Sequence, residues 1–493
     1  MELSYRALPT LGGTVSVPAY DPATLTSGIV HVGVGNFFRA HLGIYLHRLF
    51  QTGRGRDWAV VGASMMPGDK GRFDDLRTQD CLTTVVEQSE DGESIAVTGS
   101  TIELLEPGNN AALLARLSEP AIRIVSLTIT EGGYFLDPAT DRFDPGAPAI
   151  ARDALGPAVP ETVFGVLAYA LQRRRESGAG PFTVLSCDNL PHNGATARTA
   201  VTALALALDP DLGAWIEEHV SFPNSMVDRI TPATTDEQRA YLHSLTGLED
   251  THPVFCEDYL QWVLEDSFTA GRPELEAVGV EFVDDVTPYE NMKLRILNGG
   301  HAAIGYPAAL LGYELVHEAM GDPLIRGFLD QLERDEILPI VPPVPNTNLE
   351  DYLDSVTHRL TNSRIGDQVV RLCQDGSNRQ PKFIVPTIAD RLSLGLPIRG
   401  ISMVSALWCR YCQGIDEDGR EIAVNDEDAV PLRQLAIEAR DSPERFLSFE
   451  KVFSGVADDP VFRDAFAANL RAIQDRGARA VLADYLATKP ETI

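Results

Sequence analysis

Positive charge is scarce in this sequence. Its 41 lysines and arginines face 71 aspartates and glutamates, a net charge of −30. Such a surface repels nucleic acid and anionic membrane, so neither is expected as a partner. Cysteine is scarcer: Cys81, Cys187, Cys256, Cys373, Cys409 and Cys412 are scattered over 493 residues. That usage argues against a disulfide scaffold and for reduced thiols. Cys409 and Cys412 form a lone C-x-x-C inside an apolar run and read as a buried helical pair. No His/Cys group has the spacing of zinc ligands, so no metal is expected. Long apolar runs are missing too, none approaching the ~20 residues of a membrane span. The opening MELSYRALPTLGG has neither the basic start nor the apolar core of a secretory signal. A cytoplasmic location is the expectation.

What is present reads as two textures. Up to about residue 285, buried strand-like runs alternate with helical ones. GIVHVGVG (28–35), WAVVGASMM (58–66), IRIVSLTIT (122–130) and FTVLSCDN (182–189) are the strands. AHLGIYLHRLF (40–50) and TVFGVLAYALQRRRES (162–177) are helices between them. This order predicts an α/β domain over 1–285 with a doubly wound, mostly parallel sheet of Rossmann type. Beyond it the 3.6-residue period dominates and strands fade. Residues 286–493 read as a mainly helical second domain, with LPIVPPVP (338–345) a rigid loop inside it.

Gly33 and Gly35 occupy the first two positions of a G-x-G-x-x-G turn, but Phe38 stands at the third. Gly33 suits the tight turn after the strand, and Gly35 suits close approach of a pyrophosphate to the helix N-terminus. Phe38 excludes the usual close helix-on-strand packing, so the helix must sit differently or begin earlier. Arg39 adds a cation able to reach a phosphate. Past the second strand, Asp69 is the nearest acid for the ribose hydroxyls, favouring NAD over NADP. Lys70 and Arg72 follow it and work the other way.

Three further stretches concentrate polar groups. In YENMKLRILNGGH (289–301), an α-helix would spread Lys293, Glu290, His301 and Asn298 over an arc of roughly 140°. Gly299 and Gly300 weaken that helix, which suggests close approach of something, a ligand included. SCDNLPHNG places Asp188 and Asn189 just past a strand end, where open α/β sheets line their ligand crevice. SFPNSMVDRITPAT (221–234) carries Asn224, Asp228 and Arg229 and reads as a loop.

These segments resemble, in order and over nearly the whole chain, the polyol-specific long-chain dehydrogenase/reductase family. The motifs are GVGNFFRAH, SLTITEGGY, SCDNLPHNG, SFPNSMVDRITP, EDYLQWVLED, DDVTPYENMKLRILNGGH and LCQDGSNRQPKF. Most specific is Lys-x4-Asn-x2-His at 293, 298 and 301. The resemblance implies a Rossmann-type domain, a helical C-terminal domain, NAD as coenzyme, no metal, and a monomer or weak oligomer. It implies interconversion of a polyol and a ketose, with D-mannitol and D-fructose as the expected pair. Lys293 would be the general base, and Asn189 and Asn298 the amides that stabilise the alkoxide. His301 would position substrate, and Glu290 would exchange the proton with solvent. Asp228, Arg371 and Arg379 match polyol-contacting positions. Coenzyme contacts are implied at Gly33, Gly35, Asn36, Phe37, Arg39, Asp69, Thr130, Glu131, Asn189 and Asn224. Two features depart from the family: its glycine turn often reads Gly-Phe-His-Arg-Ala-His, whereas this one reads Asn-Phe-Phe-Arg-Ala-His, and position 379, here arginine, is commonly lysine.

The chemistry is coherent without the resemblance. Alcohol oxidation needs a base for the hydroxyl proton, and burial pushes a lysine amine toward the neutral form that can take it. Two amide donors on the oxygen favour the transition state over the ground state. Neighbouring readings are a D-arabinitol dehydrogenase, a hexuronate (fructuronate) reductase and, outside catalysis, an NAD-binding sensor. A sensor has no use for a base beside an oxyanion site.

Overall fold

The computed structural model describes residues 1–137 and 142–488. The chain divides into two compact units, Met1–Thr287 and Pro288–Ile493.

In the first unit five strands form one parallel sheet: β1 (Ser27–Val32), β2 (Ala59–Ala63), β3 (Thr101–Leu104), β4 (Ile124–Leu127) and β5 (Thr183–Ser186). Their spatial order is β5-β4-β1-β2-β3. The order reverses at β1, so β1 and β4 flank the switch point, where open α/β sheets take their ligands. Both faces are covered, which is why the strands are near-continuous apolar runs. Val30, Val61, Val125 and Val184 point to one layer, with Leu113, Leu167, Leu171 and Leu204. Their neighbours Ile29, Val60, Ile124 and Leu185 point to the other, with Tyr45, Leu46, Phe50 and Trp262. Each such side chain, fully buried, contributes about 1.5–3 kcal/mol.

Smaller sheets join this unit, two of them beyond the short pair Leu136–Asp137/Arg142–Phe143. One pairs the hairpin Thr83–Ser89/Gly92–Thr98 with Val15–Ser16 and Val254–Glu257. The other brings Ser225–Asp228 antiparallel to Gln261–Glu265, which pairs in parallel with Glu281–Val283. The expected loop at 221–234 is therefore partly a strand. Its four residues are all buried, and pairing satisfies their backbone groups where water cannot.

The second unit is helical. Among its described residues the extended pairing is limited to isolated bridges such as Leu315 with Gln368. Its central element is the helix Gly299–Leu310, apolar on nearly all sides and packed by Pro323–Leu332, Val369–Cys373 and Arg399–Cys412. Cys409 and Cys412 lie buried in the last of these helices as free thiols, and burial raises both thiol pKa values. Leu338–Ile340 is a short 3-10 turn at the head of the proline-rich loop.

Candidate active site

The glycine turn leaves β1 and enters a short helix, α1 (Asn36–Ala40). Gly33 has φ +107°, and a Cβ there would lie 2.0 Å from the Thr128 carbonyl oxygen beyond β4. Only glycine fits. Gly35 differs: a Cβ on it would meet nothing closer than the Gly33 oxygen at 3.9 Å. Its open face lies at the start of α1, a cradle shaped for an anionic group approaching the backbone, and NAD's pyrophosphate fits it.

Phe38 replaces the third glycine by changing the helix. α1 stops after five residues, His41 breaks it with φ −116° and ψ −93°, and α2 (Leu42–Gln51) restarts in a new direction. The Phe38 ring stacks on His31 of β1 at 3.9 Å. Burial holds the His31 pKa down at about 3, so the ring is neutral. Its Nδ1 lies 2.9 Å from Ser126 Oγ and its Nε2 3.0 Å from Thr128 Oγ1, tying β1 to β4 beneath the turn.

Arg39 corrects an expectation. Its guanidinium is buried and donates to the carbonyl oxygens of Gly35 and His252 and, at 2.7 Å, to Asn36 Oδ1. It braces the turn from within and does not stand open toward a phosphate. Asn36 Nδ2 in turn donates to the Pro232 carbonyl at 3.2 Å. Phe37 stacks on His41. Asp69 folds back to the end of β2, accepting from Ser64 Oγ at 2.5 Å and pairing with Arg72 at 2.8 Å. Lys70 turns away to Asp74 and Glu106. One cation, Arg72, thus offsets the charge of Asp69 in part.

Thr130 and Glu131 begin the loop after β4, and Asp188 and Asn189 follow β5. Asn224 is committed to structure: its Oδ1 accepts from the Ala195 amide and its Nδ2 donates to Glu265. Asp228 ends its strand, buried. Arg229 is buried as well and donates to the carbonyl oxygens of Ala40 and Glu257 and to Glu87.

In the second unit Glu290 and Lys293 are both buried, and the helix changes its winding between Lys293 and Asn298. Thr287–Met292 is α-helical, Lys293–Asn298 is a π-turn, and Gly299–Leu310 returns to α. The uniform α-helix expected for this segment is thus wrong. A π-turn closes i to i+5, so Lys293 and Asn298, five apart, are brought closer around the axis than α geometry allows. Asn298 Oδ1 and His301 Nε2 are both buried without a hydrogen-bond partner. Burial first, then the positive charges of Arg371, Arg379, Arg359 and Lys293, hold the His301 pKa well below its usual value. Its imidazole is neutral.

Arg371 pairs with Asp367 at 2.5 Å from Nε, and Arg379 Nη1 donates to the carbonyl oxygens of Arg371 and Leu372. Arg359, buried on the helix Leu349–Thr361, was not foreseen. An arginine in an amphipathic helix carries no sequence signal of burial. Gly300 has a cause of its own within the fold. A Cβ on Gly300 would lie 3.3 Å from Leu329 and 3.4 Å from Glu333, so a neighbouring helix, and no ligand, claims that space. Among the described residues no three His, Cys, Asp or Glu side chains gather as metal ligands would.

Two family models match: the mannitol dehydrogenase Rossmann domain over residues 27–277 and the mannitol dehydrogenase C-terminal domain over 285–474. The chain belongs to the mannitol dehydrogenase family. Within that family it is 49% identical over 475 residues to mannitol 2-dehydrogenase of Cereibacter sphaeroides, covering 96% of this chain and 99% of the relative. It is 39% identical to mannitol dehydrogenase DSF1 of Saccharomyces cerevisiae, covering 98% and 97%. Among solved structures it is similar to Pseudomonas fluorescens mannitol 2-dehydrogenase in ternary complex with NAD and D-mannitol. That match has a TM-score of 0.91 and 42% identity, over 99% of this chain and 100% of the other. A substrate-free D-sorbitol dehydrogenase matches with a TM-score of 0.89, 36% identity, and coverage of 97% and 100%. A mannitol dehydrogenase fold thus accounts for both units, the Rossmann-type sheet and the helical array. Among the described residues of this family member, no helix is long and apolar enough to cross a membrane.

Proposed function

We propose that the chain is an NAD-dependent, metal-independent oxidoreductase interconverting D-mannitol and D-fructose, acting in the cytoplasm as a monomer or weak oligomer. One observation carries the reading. The π-turn gathers buried Lys293 with Asn298, whose Oδ1 is unpaired, and neutral His301, whose Nε2 is unpaired, a base beside an amide and an imidazole. Bound NAD supplies the hydride acceptor. Lys293, once it gives up its proton to become the neutral amine, takes the carbinol proton. Asn298 donates to the oxygen as negative charge builds there, an interaction stronger in the transition state than before it. Asn189 keeps the amide-donor role that the resemblance implies for it. His301, neutral, orients a hydroxyl by hydrogen bonding. Glu290, a turn before Lys293, passes the proton toward water. Asp228, Arg371 and Arg379 take the polyol hydroxyls. Gly33, Gly35, Asn36, Phe37, Asp69, Thr130, Glu131 and Asn224 form the coenzyme surface, with Arg39 bracing it.

A second reading has its own support. Three arginines and a lysine act on His301 in a chain of strongly negative charge, surroundings that suit a hexuronate carboxylate. NADH oxidation measured with fructose, xylulose and fructuronate decides between them. Fructose is expected to give the highest kcat/KM; fructuronate in first place would replace the primary reading. Oxidation with none of the three would leave an NAD-binding sensor.

A further inference from the structure

The carboxyl end of the parallel sheet holds a strained residue and a buried carboxylate that the proposed reaction does not use. Thr130 has φ +61° and ψ 166°, a region of backbone space that is essentially reserved for glycine. Its β-branched side chain makes threonine a poor occupant. Such a conformation persists only where the surroundings impose it, and here they are specific.

Asp188, past the end of β5, is buried and turns its carboxylate onto the loop after β4. It accepts from the Ile129 amide at 3.1 Å, the Thr130 amide at 2.8 Å and Tyr134 Oη at 2.8 Å. The three donors come from one loop and span the strained residue. The carboxylate is itself held: Ser186 Oγ meets Tyr134 Oη at 2.5 Å, and Asn193 Nδ2 donates to the Asp188 carbonyl at 3.0 Å. On its other side the loop touches the glycine turn. Thr128 Oγ1 donates to the Gly33 carbonyl at 2.7 Å, and the Thr128 carbonyl fills the space a Cβ on Gly33 would need. The path of residues 128–134 therefore shapes both the loop and the turn.

We infer that Asp188 is a positioning residue for the coenzyme: its carboxylate holds Thr130 in the strained conformation and so fixes the loop that, with the glycine turn, receives NAD. This rests on the coenzyme reading given above. The strain is the reason a carboxylate is needed, because a relaxed loop would keep its shape with weaker partners.

The test is calorimetric titration of NAD into the purified full chain, alongside amide hydrogen exchange without coenzyme. Asp188→Asn keeps the shape of the side chain but turns an amide N–H2 toward backbone donors. NAD binding should weaken by about tenfold or more, the scale of a lost hydrogen bond to a charged group. The loss should appear in KM for NAD far more than in kcat, and the Ile129 and Thr130 amides should exchange faster. Thr130→Gly removes the strain. In that background Asp188→Asn should cost no more than about threefold, a coupling that a double-mutant cycle isolates from the lost threonine side chain. Equal cost in both backgrounds, or Asp188→Asn binding NAD within about twofold of the unmodified chain, would overturn the inference. Should Asp188→Asn not fold, Tyr134→Phe removes one donor and should weaken NAD by about two- to fivefold; an unchanged affinity overturns the inference as well. An unmodified chain that does not bind NAD would sink the coenzyme reading first and this inference with it.

Discussion

The glycine turn of the first unit and the π-turn of the second are built on opposite plans. Around the glycine turn the side chains are spent on the protein. Arg39, Asn36, His31 and Asn224 all bond to neighbouring chain, and what remains open is backbone, the face of Gly35. Around the π-turn the backbone is closed into a helix, and two side-chain atoms that face the proposed chemistry, Asn298 Oδ1 and His301 Nε2, are buried and unpaired. The contrast follows from the two ligands proposed. A dinucleotide offers phosphates that backbone N–H groups and a helix start can bind, so side chains are free to stiffen the loop. A polyol carbinol needs a proton acceptor and directed donors, which only side chains supply.

The largest expected effect would break this contrast at its centre. Lys293→Ala should lower mannitol oxidation by about 10²–10⁴-fold, the range of a lost general base, while NAD affinity stays near that of the unmodified chain. Steady-state turnover with parallel NAD titration checks both, and turnover close to normal would take the lysine out of the mechanism. Asn298→Ala should reduce kcat by about 10²–10³-fold, as for an oxyanion donor. An effect confined to KM would make Asn298 a ground-state contact instead.

The coenzyme side should respond more mildly. Asp69→Ala removes a carboxylate but leaves Arg72 unpaired beside the ribose position, so the kcat/KM ratio of NADP to NAD should rise by about tenfold. A chain that already prefers NADP would contradict the assignment of Asp69.

Glu333 sharpens the comparison from the stability side. Its carboxyl oxygens are fully buried against Gly300 without a partner, and burial holds its pKa well above the usual carboxylate range. The folded state therefore keeps a proton that the unfolded chain releases near pH 4.3. Stability from this group is complete below that pH and is lost as pH rises toward the folded pKa. Relative to Glu333→Gln, the unmodified chain should lose about 1.4 kcal/mol per pH unit above pH 4.3. Denaturant unfolding at several pH values measures it; a constant difference would mean that Glu333 is already ionised in the fold. The smallest effect is expected from Cys409→Ala and Cys412→Ala, and from prolonged chelation. Each should leave turnover within about twofold, because buried thiols of raised pKa do not act as thiolate ligands.

Reading the chain alone reached the elements whose signal is local. Apolar runs doubly buried in a sheet announce themselves: β2, β4 and β5 lie inside the expected runs, and β1 starts one residue before its run. The short edge strand β3 and the hairpin at 83–98 escaped: β3 mixes polar and apolar residues as surface loops do, and the hairpin strands, interior to their sheet, carry Thr, Glu, Gln and Ser among their apolar residues. The Lys-Asn-His spacing was visible, yet its winding was not. The difference between α and π is a one-residue shift of the hydrogen-bond register, which residue type and spacing do not encode; in the fold this segment packs against Leu349–Thr361 and the segment carrying Glu333.

The sequence by itself determined the two-domain order, the glycine turn and the identities of the groups proposed to do chemistry, because each is written in residue type and short-range spacing. Only the tertiary structure decided how those groups are used. It turned Arg39 from a phosphate ligand into a brace, paired Asp69 with Arg72, and set Arg359 within electrostatic reach of His301. It also placed Asp188 under a strained Thr130. The physical reason is the same in each case: a hydrogen bond or a charge acts over a few ångströms, and residues tens to hundreds of positions apart come that close only when the chain has folded.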